Sequence, residues 1–347
     1  MRNIQIVDTT LRDGLQAPGV AITRRAKIEI ANRLDRIGVQ EMEIGTPAMG
    51  KTACDDIRAI ERLGLAARLS VWCRARRDDL AAAAECGVEG VHISFPISDI
   101  LLAVFRKDRI WLKRTMNELL PDACRRFSRV TVGAQDATRT PLDKLMDFAA
   151  HAGGFGIDRL RIADTVGICR PLQVDQTIDA LRCYVPHLPL EFHAHNDLGM
   201  ATANAVTAAE AGADAVSVTI NGIGERSGNA PLEEIVMALA GVDTMTCTVM
   251  PYTLTSLCQR VAKMTGRSIP AAKPITGVAA FMHESAIHLA GLRRSPLAYQ
   301  PFLPQTVGWT GAQFFNTTSG NPRQPPATQR STASIRLPLS NRAGIID

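Results

Sequence analysis

No stretch of the 347 residues approaches the run of about eighteen apolar side chains that a membrane helix needs, and the opening MRNIQIVDTT lacks the apolar core of a secretory signal. These absences argue against a membrane protein and set the cytoplasm as the expected location. Cysteine occurs at 54, 73, 86, 124, 169, 183, 247 and 258, but never as a CxxC pair. That scatter fits buried free thiols better than a disulfide frame or a thiolate zinc site. Aromatic residues make up only 5% of the chain and interleave with no basic stripe, which argues against a nucleic-acid partner. Neither GxGxxG nor a P-loop follows any β-branched run, so a dinucleotide-binding domain is disfavoured.

What is present is a globular composition, 46% hydrophobic and 21% charged, enough for a large core in one big domain with an appendage. The net charge of +5 is unevenly spread. Residues 311–347 carry four arginines against Asp347, a local +3, which leaves +2 for residues 1–310. That remainder suits small anionic substrates.

Short β-branched runs alternate with helix-period segments about every thirty residues, the rhythm of βα units. Strands are expected at 4–7, 41–44, 69–72, 91–95, 130–132, 159–163, 190–195 and 215–219. Over 23–37, Ile28, Ile30, Ala31 and Leu34 form an apolar helical face, and Gly38 can stop the helix. Further helices are expected to begin near Pro141, Pro171, Thr202 and Pro231. Eight strand–helix pairs within about 240 residues are what a (β/α)8 TIM barrel requires, and that fold gathers its chemistry at the C-terminal ends of its strands. The barrel is expected over 1–245 and a small helical subdomain over 246–310, with helices at 254–264 and around 279–292. From 311 to 347 low hydrophobicity and four prolines read as a disordered tail.

Polar residues converge on the strand ends. The first strand delivers Asp8, then Arg12 and Asp13 in the loop beyond it. The seventh ends Phe-His-Ala-His, and the two-residue period of a strand turns His193 and His195 to one side. Barrel closure brings the seventh strand two positions from the first, so a carboxylate and two imidazoles can meet. The alternative is a pair of hydrogen-bonded structural histidines; Asp13 and the adjoining Asn196 and Asp197 favour a metal pair. One carboxylate with two imidazoles leaves open positions suited to Mg²⁺, Mn²⁺ or catalytic Zn²⁺ holding a 2-oxo acid. Arg12 would then stabilise the alkoxide that forms when a carbon nucleophile attacks the ketone, unless it makes only a barrel-top salt bridge. The loop from Asn221 to Asn229 has three glycines in nine residues, so Asn229 can reach a metal or its water, or else cap the helix at Pro231.

DTTLRDG at 8–14, EIGTPAMG at 43–50, ADTVG at 163–167, HAHNDLGMATAN at 193–204 and NGIGERSGN at 221–229 together resemble the acyl-CoA-condensing, metal-dependent barrels: isopropylmalate, citramalate and homocitrate synthases. The phrasing of VWCRARRDDLAAA and VHISFPISD is most similar to nitrogenase-associated homocitrate synthases. The resemblance spans about residues 4 to 308. It implies that Asp13, His193 and His195 bind the divalent metal with Asn229 nearby, that Arg12 polarises the oxo acid, and that Gln16 and Thr165 contact its carboxylates. FMHESAIH and LAYQPF match the segment this family inserts into the neighbouring subunit's site, so His288 and Tyr299 would serve proton transfer across a homodimer. The implied reaction joins acetyl-CoA, 2-oxoglutarate and water into homocitrate and CoA.

Three departures accompany the resemblance. The family's DGEQ is DGLQ here, so Leu15 removes a carboxylate. Its proton-transferring glutamate after the fifth strand is Gln135, and loss of a general base or its partner typically costs about 10²- to 10⁴-fold. Beyond residue 310 NTTSGNPRQPP replaces the usual continuation, which implies a truncation or frame disruption there. A degenerate paralogue that binds metal and oxo acid, or pairs with an intact synthase, is one alternative. A 3-hydroxy-3-methylglutaryl-CoA lyase-type enzyme is the other, since RDGLQ is its signature; its catalytic cysteine in the loop after the eighth strand has no counterpart in 221–229.

Overall fold

The structure is a computed structural model and describes residues 1–309. Eight parallel strands close into a barrel: β1 (Gln5–Asp8), β2 (Glu41–Glu43), β3 (Arg68–Arg74), β4 (Gly90–Pro96), β5 (Arg129–Gln135), β6 (Arg159–Asp164), β7 (Leu190–Ala194) and β8 (Ala215–Val218). All eight expected strands form, each within three residues of its expected ends. A helix follows every strand: α1 (Arg24–Arg36), α2 (Lys51–Glu61), α3 (Arg77–Glu85), α4 (Arg109–Arg126), α5 (Leu142–Gly153), α6 (Pro171–Tyr184), α7 (Ala201–Ala211) and α8 (Leu232–Ala240). The expectation of a (β/α)8 barrel holds.

Local signals explain the helix ends. The Thr23 hydroxyl accepts from Ala26 N and caps α1, which buries Ile30, Ala31 and Leu34 against the strands. Gly38 then ends it at φ +89°, where a Cβ would come within 2.6 Å of the Thr248 carbonyl oxygen.

Along β4, β6 and β7 bulky apolar residues on the outer side alternate with mainly polar residues on the inner side. Leu160, Ile162 and Phe192 are fully buried beneath the helices, while Arg159, Arg161 and Glu191 turn into the barrel. The interior is therefore ionic rather than aliphatic. Arg159 gives Nε to Glu191 (2.7 Å), Nη2 to Glu41 (2.9 Å) and Nη1 to Gln5 (3.3 Å). Arg161 gives Nε to Glu191 (2.7 Å) and Nη1 to Glu43 (2.9 Å), and Ser217 donates to Glu191 as well. Burying these charges is tolerable only because nearly every lone pair and N–H is matched.

Two helices follow the barrel, α9 (Leu254–Thr265) and α10 (Ala286–Arg294). Leu254, Leu257, Cys258 and Val261 of α9 join the same apolar cluster as the barrel helices. The helix expected around 279–292 begins only at Ala286, because turns such as Ala279 N to Ala271 O and Met282 N to Ala279 O occupy the residues before it. All eight cysteines are free thiols; 73, 86, 169 and 258 are buried, whereas Cys183 is exposed because it falls on the outer face of α6. The tail expected over 311–347 lies outside the described residues.

Candidate metal and oxo-acid site

The loop that leaves β1 is fixed by its own first residues. Asp8 is fully enclosed and accepts from Thr10 N (2.9 Å) and Thr10 Oγ1 (3.0 Å). Burial pushes its carboxyl up to about 7 against those two hydrogen bonds. The Thr10 oxygen also accepts from Ile220 N, tying this loop to the one after β8. The chain then turns so that Arg12 and Asp13 face the barrel axis.

Asp13, His193 and His195 come together there, all buried, with one ligand atom from each within 4.8 Å of the others. His193 Nε2 lies 3.1 Å and His195 Nε2 3.9 Å from Asp13 Oδ2. Burial opposes ionisation of Asp13, but Arg12 and the two imidazoles outweigh it and hold the carboxyl well below its usual range. Burial, reinforced by His193, lowers His195 to about 4, so its ring is neutral and keeps a lone pair at physiological pH. Among the described residues Nδ1 of both histidines and Oδ1 of Asn229 are buried without a hydrogen-bond partner. One ionised carboxylate, two imidazoles and an unpartnered amide oxygen fit a divalent cation with positions left for a bidentate ligand.

The strand geometry explains this convergence. His193 pairs in register with Ala163 and Ser217, and His195 forms a bridge with Asn229 where β7 gives way to its loop. Asn229 does not cap α8; its Nδ2 donates to Ile223 O (3.1 Å). Its side chain fits only because residue 224 is glycine, since a Cβ there would collide with Nδ2. Arg226 grips Asp197 through Nε (2.7 Å) and Nη2 (3.0 Å), and donates to Thr165 O (2.8 Å), which joins the loops after β6, β7 and β8.

Arg12 is the best-anchored cation at the mouth. It donates to Asp13 (3.0 Å) and to the fully buried Glu43, and its guanidinium carbon sits 5.8 Å from the centre of the Trp72 ring. Glu43 in turn links Arg12 to Arg161, so the site rests on the ionic interior. This support was missed in the sequence, although the alternation of Glu41 with Glu43 and of Arg159 with Arg161 was there to be read.

The remaining expected residues divide. Thr165 Oγ1 accepts from Asp136 N (2.8 Å), beside Asp136, which stands at φ +62° and holds Arg139. Gln135 ends β5 half-buried, and Gln16 is exposed beyond the Asp13 turn next to half-buried Leu15. His288 and Tyr299 stack on each other at 4.1 Å, with the tyrosine ring over Gly291, on the segment that follows the barrel. The cluster of Asp13, His193 and His195 is built without them.

A family model described as HMGL-like matches residues 3–261. The homocitrate synthase of Frankia alni is 42% identical over 306 residues, covering 88% of this chain and 87% of that protein. Homocitrate synthase 1 of Nostoc sp. is 42% identical over 89% of this chain and 82% of its own. The 2-isopropylmalate synthase 2 of Caldanaerobacter subterraneus is also 42% identical, over 88% and 79%. Among solved structures, the HMG-CoA lyase of Bacillus subtilis superposes with a TM-score of 0.69 over 78% of this chain and 96% of its own, at 23% identity, a likeness of fold alone. With that barrel, that site and those relatives, the chain belongs to the HMGL-like family and, within it, to the homocitrate synthase group.

Proposed function

We propose that this chain is an acyltransferase that condenses acetyl-CoA with 2-oxoglutarate and, with water, yields homocitrate and CoA. The observation that carries the reading is the buried triad of Asp13, His193 and His195 beside a doubly anchored Arg12, on a chain 42% identical to proteins named homocitrate synthase. The relative named isopropylmalate synthase performs its chemistry at equal identity, so acceptor choice rests on the pocket rather than on the relatives.

Asp13, His193 and His195 would hold the divalent ion, with Asn229 close by; Mg²⁺ and Mn²⁺ suit the mixed oxygen and nitrogen set, and Zn²⁺ is compatible with it. The ion supplies Lewis-acid polarisation of a ketone. Arg12 presents a fixed positive charge to the oxygen on which negative charge develops, and because Glu43 and Trp72 already hold it, little reorganisation is needed during the reaction. Gln16 and Thr165 are proposed to contact the carboxylates of the oxo acid. Gln135 positions rather than deprotonates, since an amide does not accept a proton at neutral pH.

The proton from the acetyl methyl group is assigned to His288 and Tyr299 acting from a second copy of the chain. The stacked pair and exposed Ile287 and Leu297 on the 246–310 segment support a homodimer with exchanged subdomains. We place the reaction in the cytoplasm and, following the nitrogenase-associated resemblance, in a nitrogen-fixation setting.

The test is CoA release followed with a thiol reagent, with Mg²⁺ or Mn²⁺ and, separately, 2-oxoglutarate, pyruvate and 2-oxoisovalerate. Release that depends on 2-oxoglutarate supports the reading. Folded, metal-binding protein with no release for any acceptor overturns it in favour of the degenerate paralogue that Gln135 motivates.

A further inference from the structure

The loop that carries Asn229 is bordered by open space. Two clefts, of about 620 and 400 Å³, reach it, and Asn221, Gly222, Ser227 and Lys273 line both. Polar ties therefore carry much of the task of fixing where the loop begins. Asn221 stands at φ +60°, in the left-handed region; its N–H donates to Glu233 Oε2 of α8 (3.0 Å) and its Nδ2 to Cys258 O of α9 (2.9 Å). One residue earlier, Ile220 N donates to Thr10. Two successive peptide groups thus tie the Asn229 loop to α8 and to the loop that delivers Asp13.

Glu233 is fully buried, and a carboxylate there needs a counter-charge. It comes from outside the barrel. Lys273 Nζ lies 2.9 Å from Glu233 Oε1 and 2.8 Å from Glu234 Oε1. Burial alone would lower the lysine, but the two carboxylates outweigh it and raise it, so the ammonium keeps its charge. Lys273 sits between α9 and α10 in a tightly wound stretch. Its N–H donates to Pro270 O (3.0 Å), its carbonyl accepts from Gly277 N (3.0 Å), and a Cβ on Gly277 would come within 2.4 Å of Ala271 O. Two residues on, Ile275 is held at φ +67°, a conformation that a β-branched residue adopts only where its surroundings impose it.

We infer that Lys273 is a positioning residue for the metal site: by neutralising Glu233 it keeps that acid on Asn221 N, and so makes the placement of Asn229 depend on how residues 266–285 seat on α8. The inference rests on the reading of Asp13, His193 and His195 as the holder of the ion, with Asn229 beside them. Without the ammonium, Glu233 is an uncompensated buried charge, which is relieved by taking up a proton or by turning toward the cleft. Either change weakens its hold on Asn221. Coupling of this kind is reciprocal, so an ion in the triad also tightens the seating of 266–285.

Calorimetric titration of the full chain with Mn²⁺, without substrates, tests this. Lys273→Met is expected to weaken Mn²⁺ binding about tenfold or more, the size of effect that losing an outer support of a metal site has. In Lys273→Met combined with Glu233→Gln no buried charge is orphaned and the amide oxygen can still accept from Asn221, so most of the lost affinity is expected to return. A lysine that only fills space would leave the double variant as weak as the single one. Hydrogen exchange supplies a second readout: Mn²⁺ is expected to slow exchange over 266–285 in the wild type and to do so less in Lys273→Met. A folded Lys273→Met with wild-type Mn²⁺ affinity, or a double variant without recovery, overturns the inference alone. Should Lys273→Met fail to fold, the wild type decides, and exchange over 266–285 that ignores Mn²⁺ overturns the inference. A wild type that binds no Mn²⁺ overturns the reading of the triad and the inference with it.

Discussion

Asp13 is the only carboxylate in the triad, and two imidazoles alone make a poor site for a hard ion. Asp13→Asn is expected to weaken Mn²⁺ binding, read by calorimetry, by more than about a hundredfold and to reduce CoA release to background. Gly224→Ala tests the scaffold of the same site from the other side. Its new methyl meets Asn229 Nδ2, so metal affinity is expected to drop about tenfold or more although no ligand has been changed. Unaltered Mn²⁺ binding in that variant would show that Asn229 stands outside the coordination sphere. Gln135→Glu restores a titratable group at the end of β5, and kcat is expected to rise about tenfold or more, measured with saturating 2-oxoglutarate.

At the scale of elements, β6 and β7 face each other through Glu191, which touches Arg159, Arg161 and Ser217. Burial alone would raise its carboxyl, but the two arginines reverse that and lower it to about 2 from an ordinary 4.5. A depressed carboxylate contributes stability that is complete above 4.5 and lost as pH falls toward 2, so acid unfolding followed by circular dichroism is expected to fall within that window. A midpoint near pH 6 would instead implicate the histidines. These strands also show what was legible from residues alone. VHISF and RLRIAD read correctly as strands because bulky apolar residues repeat every second position, and HAH announced a shared side. Invisible in the sequence was the partner of each inward charge: Glu41 and Arg159 are 118 residues apart and meet only once the barrel closes. The late start of α10 was also hidden, since the apolar spacing over 279–285 mimics a helix while the backbone there is spent on turns.

For the whole molecule the assignment of His288 and Tyr299 to a neighbour's site makes a prediction that no single chain can satisfy. Asp13→Asn and His288→Ala are each expected to be inactive alone. Mixed and re-equilibrated, they are expected to regain roughly a quarter of wild-type CoA release, because half of the dimers would be hybrids with one intact site each. No recovery in a mixture shown to exchange subunits would place both residues in the same chain's site. The ionic interior has a further consequence for assembly. Cut between β4 and β5, the chain would present Glu41 and Glu43 on one fragment and Arg159 and Arg161 on the other. Each half-barrel would carry the counter-ions of its complement, so the two pieces hold mutually attractive poles that favour reunion in the native register over self-association of either.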